Sequence, residues 1–203
     1  MPRQLLSILI CFSIISCQSE SKLSEKIQHP IIESPFNCQN LGKYSVEKSI
    51  NDTANDFTIS FPKNWDIDKV YESDLNGIFA MDTAAFLKEK SLITITINSS
   101  QLKLPLENLF LSEINGMEHD SIPIDFISTL TVDNLNSYFV LTSRLEDNTS
   151  YKDSFIYIKH PFKSNYLLIT ITCPEEDYKD EICNFEKIIK SIKFSEKSDF
   201  KSA

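Results

Sequence analysis

Apolar and polar residues alternate most clearly in two stretches of this chain. From Phe57 to Trp65, aromatic and aliphatic residues at every second position are separated by Thr and Ser, and from Ser91 to Ile97 isoleucines alternate with threonines. Successive side chains of a strand point to opposite faces of a sheet, so each stretch predicts a strand with one buried face. Pro62 lacks a backbone donor and is expected to end the first strand, with Trp65 folding back onto the sheet.

Apolar residues recur at helical spacing in two other stretches. Pro105 suits a first helical turn, the apolar residues after it repeat every three or four positions, and Gly116 is placed to end the segment. We therefore predict a helix over residues 105–115. A second helix is predicted from Pro174 to Lys193, because acidic residues at its start and lysines at its end match the helix dipole.

Further strands are predicted between the two helices, joined by short segments rich in turn residues. Short connections make sequential strands antiparallel, whereas Asp66 to Asn76 is expected to be a charged connection to a short strand from Gly77 to Met81. This order predicts an α+β fold, with an antiparallel β-sheet of about six strands and helices packed on it. The strands between the helices are Phe126–Val132, Tyr138–Leu145, Ser154–Lys159 and Tyr166–Cys173.

The N-terminal apolar run from Leu5 to Ile15 is too short to span a membrane, because a spanning helix needs about 20 apolar residues. It ends in Ile-Ile-Ser-Cys, which resembles the lipobox of bacterial lipoproteins, in which the cysteine is acylated and becomes the mature N-terminus. The resemblance implies lipidation at Cys17; an ordinary secretory signal with a chance cysteine is the alternative. The expected organisation is a signal peptide (1–16), a lipidated cysteine and flexible tether (17–36), an α+β domain (37–194) and a disordered tail (195–203).

The chain is acidic, with a formal net charge of −9, and cleavage before Cys17 would remove Arg3 and change −9 to −10. An acidic protein is repelled by phosphate backbones and anionic lipid surfaces, so nucleic acid is not an expected partner. The membrane is expected to be reached through the N-terminal lipid, which implies a bacterial cell envelope, either periplasmic or surface-facing. The expected partner is an unidentified envelope protein.

Three cysteines, Cys38, Cys173 and Cys183, remain when the signal peptide and Cys17 are set aside, and an oxidising envelope favours a disulfide among them. Cys173 shares the phase of the apolar residues of its strand, so we expect it in the core. Cys183 falls almost opposite the apolar stripe of the last helix and is expected to face outward. We therefore predict a Cys38–Cys183 disulfide, with Cys173–Cys183 as the alternative pairing.

The order of these elements resembles a known fold. The Phe-x-Ile-x-Phe-Pro-x-x-Trp opening, the helix after an Ile-rich strand, and an ending built on Phe185, Ile189 and Ile192 are similar to the PsbP-like (Mog1/PsbP) fold of small envelope and thylakoid-lumen proteins. The resemblance runs from about Tyr44 to Phe194. In plant photosystem members this fold binds other proteins and retains ions, but no residues here match those roles. The resemblance therefore implies a fold and a non-catalytic, protein- or complex-binding domain.

Few residues of the sequence suggest chemistry. The three glycines are isolated, so they form neither a phosphate-binding loop nor a nucleophile elbow. His119, Asp120 and Ser121 are adjacent, whereas catalytic triads are assembled across space, and His160 is expected in a turn. No zinc spacing is present, and the acidic residues after Pro174 are explained by a helix start better than by calcium binding. We expect no catalytic residues, no cofactor and no metal; a hydrolase, less favoured, would need His119 or His160 to meet a nucleophile.

Two further features leave alternatives open. Tyr138, Tyr151, Tyr157 and Tyr166 would line an apolar groove in a small-molecule or peptide carrier, or would be cross-strand packing pairs. Three short motifs resemble the Asp-Ser/Thr-apolar sites at which Bacteroidota glycosylate envelope proteins, although such motifs also recur by chance. The motifs are Asp52-Thr53-Ala54, Asp82-Thr83-Ala84 and Asp120-Ser121-Ile122.

Overall fold

The computed structural model describes residues 31–32, 36, 38, 45–72, 76–89 and 92–196. Within these ranges the chain has an α+β fold of eleven strands and three helices. The strands are β1 (Ile31–Ile32), β2 (Val46–Asp52), β3 (Phe57–Pro62), β4 (Trp65–Tyr71), β5 (Asn76–Asp82), β6 (Thr94–Gln101), β7 (Ile124–Val132), β8 (Leu135–Glu146), β9 (Thr149–Lys159), β10 (Asn165–Pro174) and β11 (Lys193–Phe194). The helices are α1 (Thr83–Glu89), α2 (Leu106–His119) and α3 (Glu175–Lys190).

Eight of these strands form one large sheet in the order β1-β7-β8-β9-β10-β6-β5-β4. Neighbouring strands are antiparallel, except that β1 runs parallel to β7 over two residues. The β7–β8 and β8–β9 hairpins turn at Asp133-Asn134 and Asp147-Asn148, and in each pair the φ angles are 48° and 64°. These are the left-handed angles of the type I′ turn, whose twist matches that of paired strands. Local turn chemistry therefore sets the register of the predicted meander.

The predicted Phe57 to Trp65 stretch lies at the corner between the large sheet and a three-stranded sheet of order β11-β3-β2. Phe57, Ile59 and Phe61 have no exposed surface, which confirms the buried face that their alternation predicts. Trp65 begins β4, is almost completely buried, and stacks on Phe61 with ring centroids 5.9 Å apart. The stretch therefore joins the two sheets through the core.

Helices cover both faces of the large sheet. The buried apolar residues of α3 share one cluster with Ile95 and Ile97, whose side chains are completely buried. On the opposite face, Phe110 of α2 packs in a second cluster with Val140 and Tyr157. The fold is thus an antiparallel sheet with helices packed on it, as the sequence predicts.

The structure corrects the expected number and extent of the strands. Strand β4 occupies most of the Asp66 to Asn76 segment that the charge pattern assigns to a connection. It forms an edge of the large sheet, where Asp66, Asp68 and Lys69 remain in solvent, so a polar composition is compatible with pairing. Strands β2 and β11 and helix α1 are likewise additions to the predicted elements.

Helix α2 continues past Gly116, where the sequence predicts its end. It ends in a Schellman arrangement, in which the N–H of Ser121 donates to the carbonyl of Glu118 (3.1 Å) and the N–H of Ile122 donates to the carbonyl of Met117 (2.8 Å). Ser121 takes the left-handed φ of 58° that this motif requires and that glycine usually supplies. The predicted end of the helix at Gly116 is therefore wrong, and Ser121 takes the left-handed position that ends the helix.

The structure contains the Cys38–Cys183 disulfide that the sequence favours, with the two Sγ atoms 2.08 Å apart. Cys173 is a completely buried free thiol, and burial raises the pKa of that thiol. Phe36 is buried and meets Phe139 edge-to-face, with centroids 5.8 Å apart. Since β1 pairs with β7, the domain makes contacts upstream of residue 37, within the segment that the sequence assigns to the tether.

The predicted lipidation site, Cys17, lies outside the described residues, as do the proposed signal peptide and most of the C-terminal tail. Within the ranges that the structure describes, no helix has the length and apolar character needed to cross a membrane.

Candidate functional site

At one end of the meander, a cleft of about 470 Å³ opens between the tip of the β8–β9 hairpin, the loop from α2 to β7, and the start of α3. We call it the hairpin cleft; its walls include Ile122, Pro123, Leu145, Ser150 and Glu175. Leu145 is 72% exposed and Ile122 is 40% exposed, so two large apolar side chains stand in solvent at this concave surface. Grouped apolar side chains at a cleft are typical of binding sites.

Each wall of the hairpin cleft is held by backbone bonds. The Schellman arrangement at the end of α2 sets the position of Ile122, and the next carbonyl, that of Pro123, accepts a bond from the N–H of Ser143 (3.2 Å). Leu145 pairs with Ser150 across the hairpin. The apolar wall therefore belongs to paired strands and a capped helix, and such elements change little when a partner binds.

Beneath the hairpin cleft, a hydrogen-bonded network joins four elements. The Nζ of Lys152 on β9 lies 2.9 Å from Oδ2 of Asp125 on β7, 2.7 Å from Oγ of Ser143 on β8, and 3.1 Å from Oε1 of Glu175 on α3. The hydroxyl of Ser143 in turn approaches both carboxylate oxygens of Asp125, at 2.8 and 3.0 Å. An ammonium group has three donors, and here each has an acceptor.

The Ser143–Lys152 contact has the spacing of a serine–lysine catalytic pair, in which lysine acts as a base. That role needs a lysine whose pKa is lowered toward neutrality. Burial lowers the pKa of Lys152, but hydrogen bonds and charge interactions with Asp125 and Glu175 outweigh burial and raise it above its ordinary value. The network therefore keeps Lys152 protonated and suits a structural role better than proton abstraction.

A second cleft, of about 380 Å³, adjoins the first and shares Ser150 and Glu175 with it. We call it the acidic cleft; Asn148, Thr149 and Glu176 complete its walls together with Pro174. Glu175 and Glu176 are exposed residues in the first turn of α3, where negative charge is stabilised by the helix dipole. A polar, negatively charged cleft thus lies beside an apolar one.

The four tyrosines named from the sequence do not come together in one groove. Phe110 of α2 covers two of them: it stacks on Tyr138 at 4.8 Å and meets Tyr157 edge-to-face at 5.5 Å. Tyr166 belongs to the same packed cluster. Tyr151 lies at the hairpin end of the sheet, where the guanidinium of Arg144 sits 4.6 Å above its ring. Tyr138, Tyr157 and Tyr166 therefore pack within the domain under α2, as the alternative interpretation held, and Tyr151 packs against Arg144.

The two histidines among the described residues lie in different elements. His119 ends α2 with its side chain exposed, while His160 is buried in the β9–β10 connection. The Nε2 of His160 lies 3.0 Å from the carbonyl of Asn55, and its Nδ1 accepts a bond from the N–H of Phe162 (3.1 Å). Burial, with a contribution from the charge of Lys163, lowers the pKa of His160. His160 therefore joins the β2–β3 turn to the large sheet as a neutral structural residue.

Two of the Asp-Thr-Ala motifs have structural roles. Asp52 is completely buried and accepts bonds from the N–H groups of Ala54 and Asn55, which closes the β2–β3 turn. Asp82 accepts bonds from the N–H groups of Ala84 and Ala85 and caps the start of α1. Among the described residues, no group of three or more His, Cys, Asp or Glu side chains is arranged to hold a metal ion.

Sequence reasoning did not single out the two clefts. Ser121 and Ile122 entered the sequence analysis only through a motif similar to glycosylation sites and, for Ser121, through its position beside His119 and Asp120; Glu175 entered only as part of a helix start. The remaining sequence signal is an apolar residue, Leu145, between two charged neighbours at the predicted end of a strand. That signal alone does not distinguish a docking surface from an isolated exposed leucine, which is common in folded proteins.

Comparison with known proteins relates the chain to others through its fold. No protein-family model matches the sequence, and no curated protein sequence matches it. The structure of cyanobacterial PsbP from Synechocystis is similar with a TM-score of 0.52 and 12% identity, over 79% of this chain and 99% of that one. LpqN of Mycobacterium tuberculosis, described as involved in cell envelope biogenesis, is similar with a TM-score of 0.51 and 9% identity, over 69% of this chain and 83% of that one. The chain therefore has a PsbP-like fold, and at these identities the likeness concerns the fold alone.

Proposed function

We propose that the chain is a lipid-anchored cell-envelope protein whose PsbP-like domain binds another protein at the hairpin cleft and carries out no catalysis. The observation that carries this proposal is the exposure of Leu145 and Ile122 on rigid elements at a concave surface. Exposed apolar groups of this kind are retained at surfaces that become buried against a partner.

The character of the polar groups near the cleft supports a binding role over a catalytic one. Lys152 has a raised pKa and a full set of acceptors, and Ser143 approaches a carboxylate that orients its hydroxyl. His160 lies elsewhere, bonded to the β2–β3 turn, and His119 ends α2 just before the loop that walls the cleft but is not one of the residues that line it. A nucleophile–base pair poised for reaction near neutral pH would need the opposite pKa shift at Lys152.

The proposal of an envelope anchor rests on the lipobox-like ending at Cys17 and on the short length of chain between Cys17 and the domain. Among the described residues, the most N-terminal contacts are those of β1, and Ile31 lies 14 positions after Cys17 (31 minus 17). If the intervening segment is the flexible tether that its composition predicts, its root-mean-square reach is about 20 Å. The domain would then work within a short distance of the membrane. The likeness to LpqN, which is described as involved in cell envelope biogenesis, is consistent with this compartment.

Two experiments test the parts of this proposal separately. Intact-mass analysis of the membrane-extracted protein should show an acylated chain beginning at Cys17; a water-soluble chain without acyl mass would refute the anchor. A photo-crosslinking residue at Leu145 should capture one defined protein in native membranes. In a chain that carries the probe at Ile122 instead, Leu145→Asp should abolish this capture.

Leu104 provides the matched control for this crosslinking experiment. It is 52% exposed and lies just before α2, whereas Ile122 lies just beyond the other end of this helix. A helix of 14 residues is about 21 Å long, so the two positions are well separated. A probe at Leu104 should not capture the same protein. Equal capture at both positions would show that the hairpin cleft is not the contact surface.

A further inference from the structure

The hairpin cleft and the acidic cleft share Ser150 and Glu175, so a segment bound in one has the other directly beside it. From this arrangement we propose that the two clefts form one docking groove for an extended protein segment in which an aliphatic residue lies two positions from a Lys or Arg. The inference rests on the proposed protein-binding function and specifies the chemistry of the partner.

The hairpin cleft supplies the apolar half of the groove. Leu145 and Ile122 are exposed and line this cleft together with Pro123, which connects Ile122 to strand β7. A volume of about 470 Å³ is ample for one aliphatic side chain. Burying such a side chain against these groups would remove apolar surface from water on both partners, which is the principal source of affinity for a short segment.

The acidic cleft supplies the charged half. Glu175 has a half-exposed side chain and Glu176 is an exposed residue, so carboxylates face the space that the second side chain would occupy. Two cations lie near the groove: Lys152 contacts Asp125 and Glu175, and Arg144, which lines the hairpin cleft, is paired with Asp153 and Glu146. Each of these cations already has two carboxylate partners, which offset its charge. Together with the chain's net charge of −9, this favours a basic side chain over an acidic one.

An extended backbone suits this pair of clefts because of its side-chain spacing. In a strand, residues two positions apart project on the same side and lie about 6.5 to 7 Å from each other, while adjacent residues project to opposite sides. Two side chains two positions apart can therefore enter two adjoining clefts from one side of the segment. A helical segment would instead use residues three or four positions apart.

The test uses the full chain in detergent and an array of synthetic peptides with a Gly-Ser background. Each peptide carries one Leu and one Arg, separated by zero to four positions, and matched peptides replace Leu by Ser or Arg by Glu. We expect the tightest binding when one position separates Leu from Arg, weaker binding when the two are adjacent, and binding at least tenfold weaker when Leu is replaced. Binding of the Leu/Arg peptides should also weaken as salt is raised.

Two variants connect the binding to the groove. Leu145→Asp should weaken the Leu/Arg peptides at least tenfold, whereas the control Leu104→Asp should leave them unchanged. Glu176→Lys should reverse the charge preference, so that peptides carrying Glu bind better than those carrying Arg. Because Glu176 is exposed and outside the Lys152 network, this change is not expected to impair folding, and circular dichroism verifies that.

Other outcomes would refute the groove. Equal binding of Arg and Glu peptides, a preference for residues spaced by three or four positions, or Leu145→Asp binding as the unchanged protein would each overturn it. If the chain instead associates with itself through Leu145, seen as a concentration-dependent mass, the occupant is a second copy and this inference fails. If the probe at Leu145 still captures a protein in native membranes while no peptide binds, the proposed function stands and only the segment chemistry is wrong. If neither capture nor peptide binding is observed, the proposed function is refuted as well.

Discussion

Replacing Phe61 by alanine removes a completely buried aromatic ring from the corner where the two sheets meet. Phe61 stacks on Trp65 at 5.9 Å and belongs to the cluster that α3 covers. Losing the transfer free energy of such a side chain costs about 2 to 3 kcal/mol. A residual cavity on the order of 100 Å³ adds about 2 kcal/mol at ~24 cal/mol per Å³. We therefore expect Phe61→Ala to lower the free energy of unfolding by about 4 to 5 kcal/mol, near the top of the range for Phe→Ala changes.

That loss is a large fraction of the 5 to 15 kcal/mol by which a typical domain is stable, so a variant that still folds should show a much lower urea midpoint. Urea unfolding can be followed by circular dichroism and, separately, by the fluorescence of Trp65, which is the only tryptophan of the chain. Coincidence of the two curves is needed before a single free energy is assigned.

Phe86→Ala is the matched control, because Phe86 is 41% exposed on helix α1. It makes the same substitution but removes less buried surface, so it should lower the free energy of unfolding by about 1 kcal/mol or less. If Phe61→Ala lowers stability by no more than Phe86→Ala does, the inward orientation of β3 and the reasoning from its alternation are refuted.

Three further changes test other parts of the fold. Ser121→Gly should raise the free energy of unfolding by about 1 kcal/mol in urea titrations, because Ser121 holds a left-handed φ of 58° at a helix end where glycine is unstrained. Burial lowers the pKa of His160 in the folded protein below its ordinary value of 6.5. The stability that this residue contributes is therefore present above pH 6.5 and is lost as the pH falls through the folded-state pKa. In thermal melts, His160→Gln should lose less stability between pH 7 and pH 5 than the unchanged protein does. Cys183→Ser removes a crosslink between residues 145 positions apart, for which the chain-entropy model gives a loss of about 5 kcal/mol, measurable by urea unfolding without reductant.

Each of these changes has a result that would contradict it. A less stable Ser121→Gly protein would mean that the α2 cap is not formed as described. Parallel pH profiles for His160→Gln and the unchanged protein would show that this imidazole is not held neutral. A dithiol reductant should bring the unchanged protein to the stability of Cys183→Ser; if reduction has no effect, the Cys38–Cys183 bond does not stabilise the domain.

Much of the fold could be predicted because its signals are local. The alternation at Ile93, Ile95 and Ile97 depends only on the direction of successive side chains, and all three residues are buried in the structure. The phase of Cys183 on α3 favoured a partner from a passing segment, and the structure pairs it with Cys38. Each inference compares residues within one element, where geometry is set by the backbone.

The errors occurred where neighbouring elements override a local preference. Strand β4 is acidic because it forms a sheet edge, and edge position cannot be seen in a single strand. Gly116 suggested a helix stop, but the end of α2 depends on the two bonds that Ser121 and Ile122 make with the preceding turn. Tyr138 and Tyr157 were candidate groove residues because the sequence of a strand does not show whether a helix lies over it; in the structure Phe110 of α2 contacts both.

The sequence by itself determined the α+β class, the meander turns, the inward face of β3 and the side of α3 that bears Cys183, because these follow from side-chain periodicity and turn chemistry over a few residues. Only the tertiary structure decided that Ile122, Leu145 and Glu175 line one cleft, since they come from a helix cap, a hairpin and a second helix. The tertiary structure also explains why position 77 needs glycine, because a Cβ there would lie 1.9 Å from the carbonyl oxygen of Ile97. Such contacts join segments distant along the chain, and the packing of sheets and helices, which no local pattern encodes, brings them together.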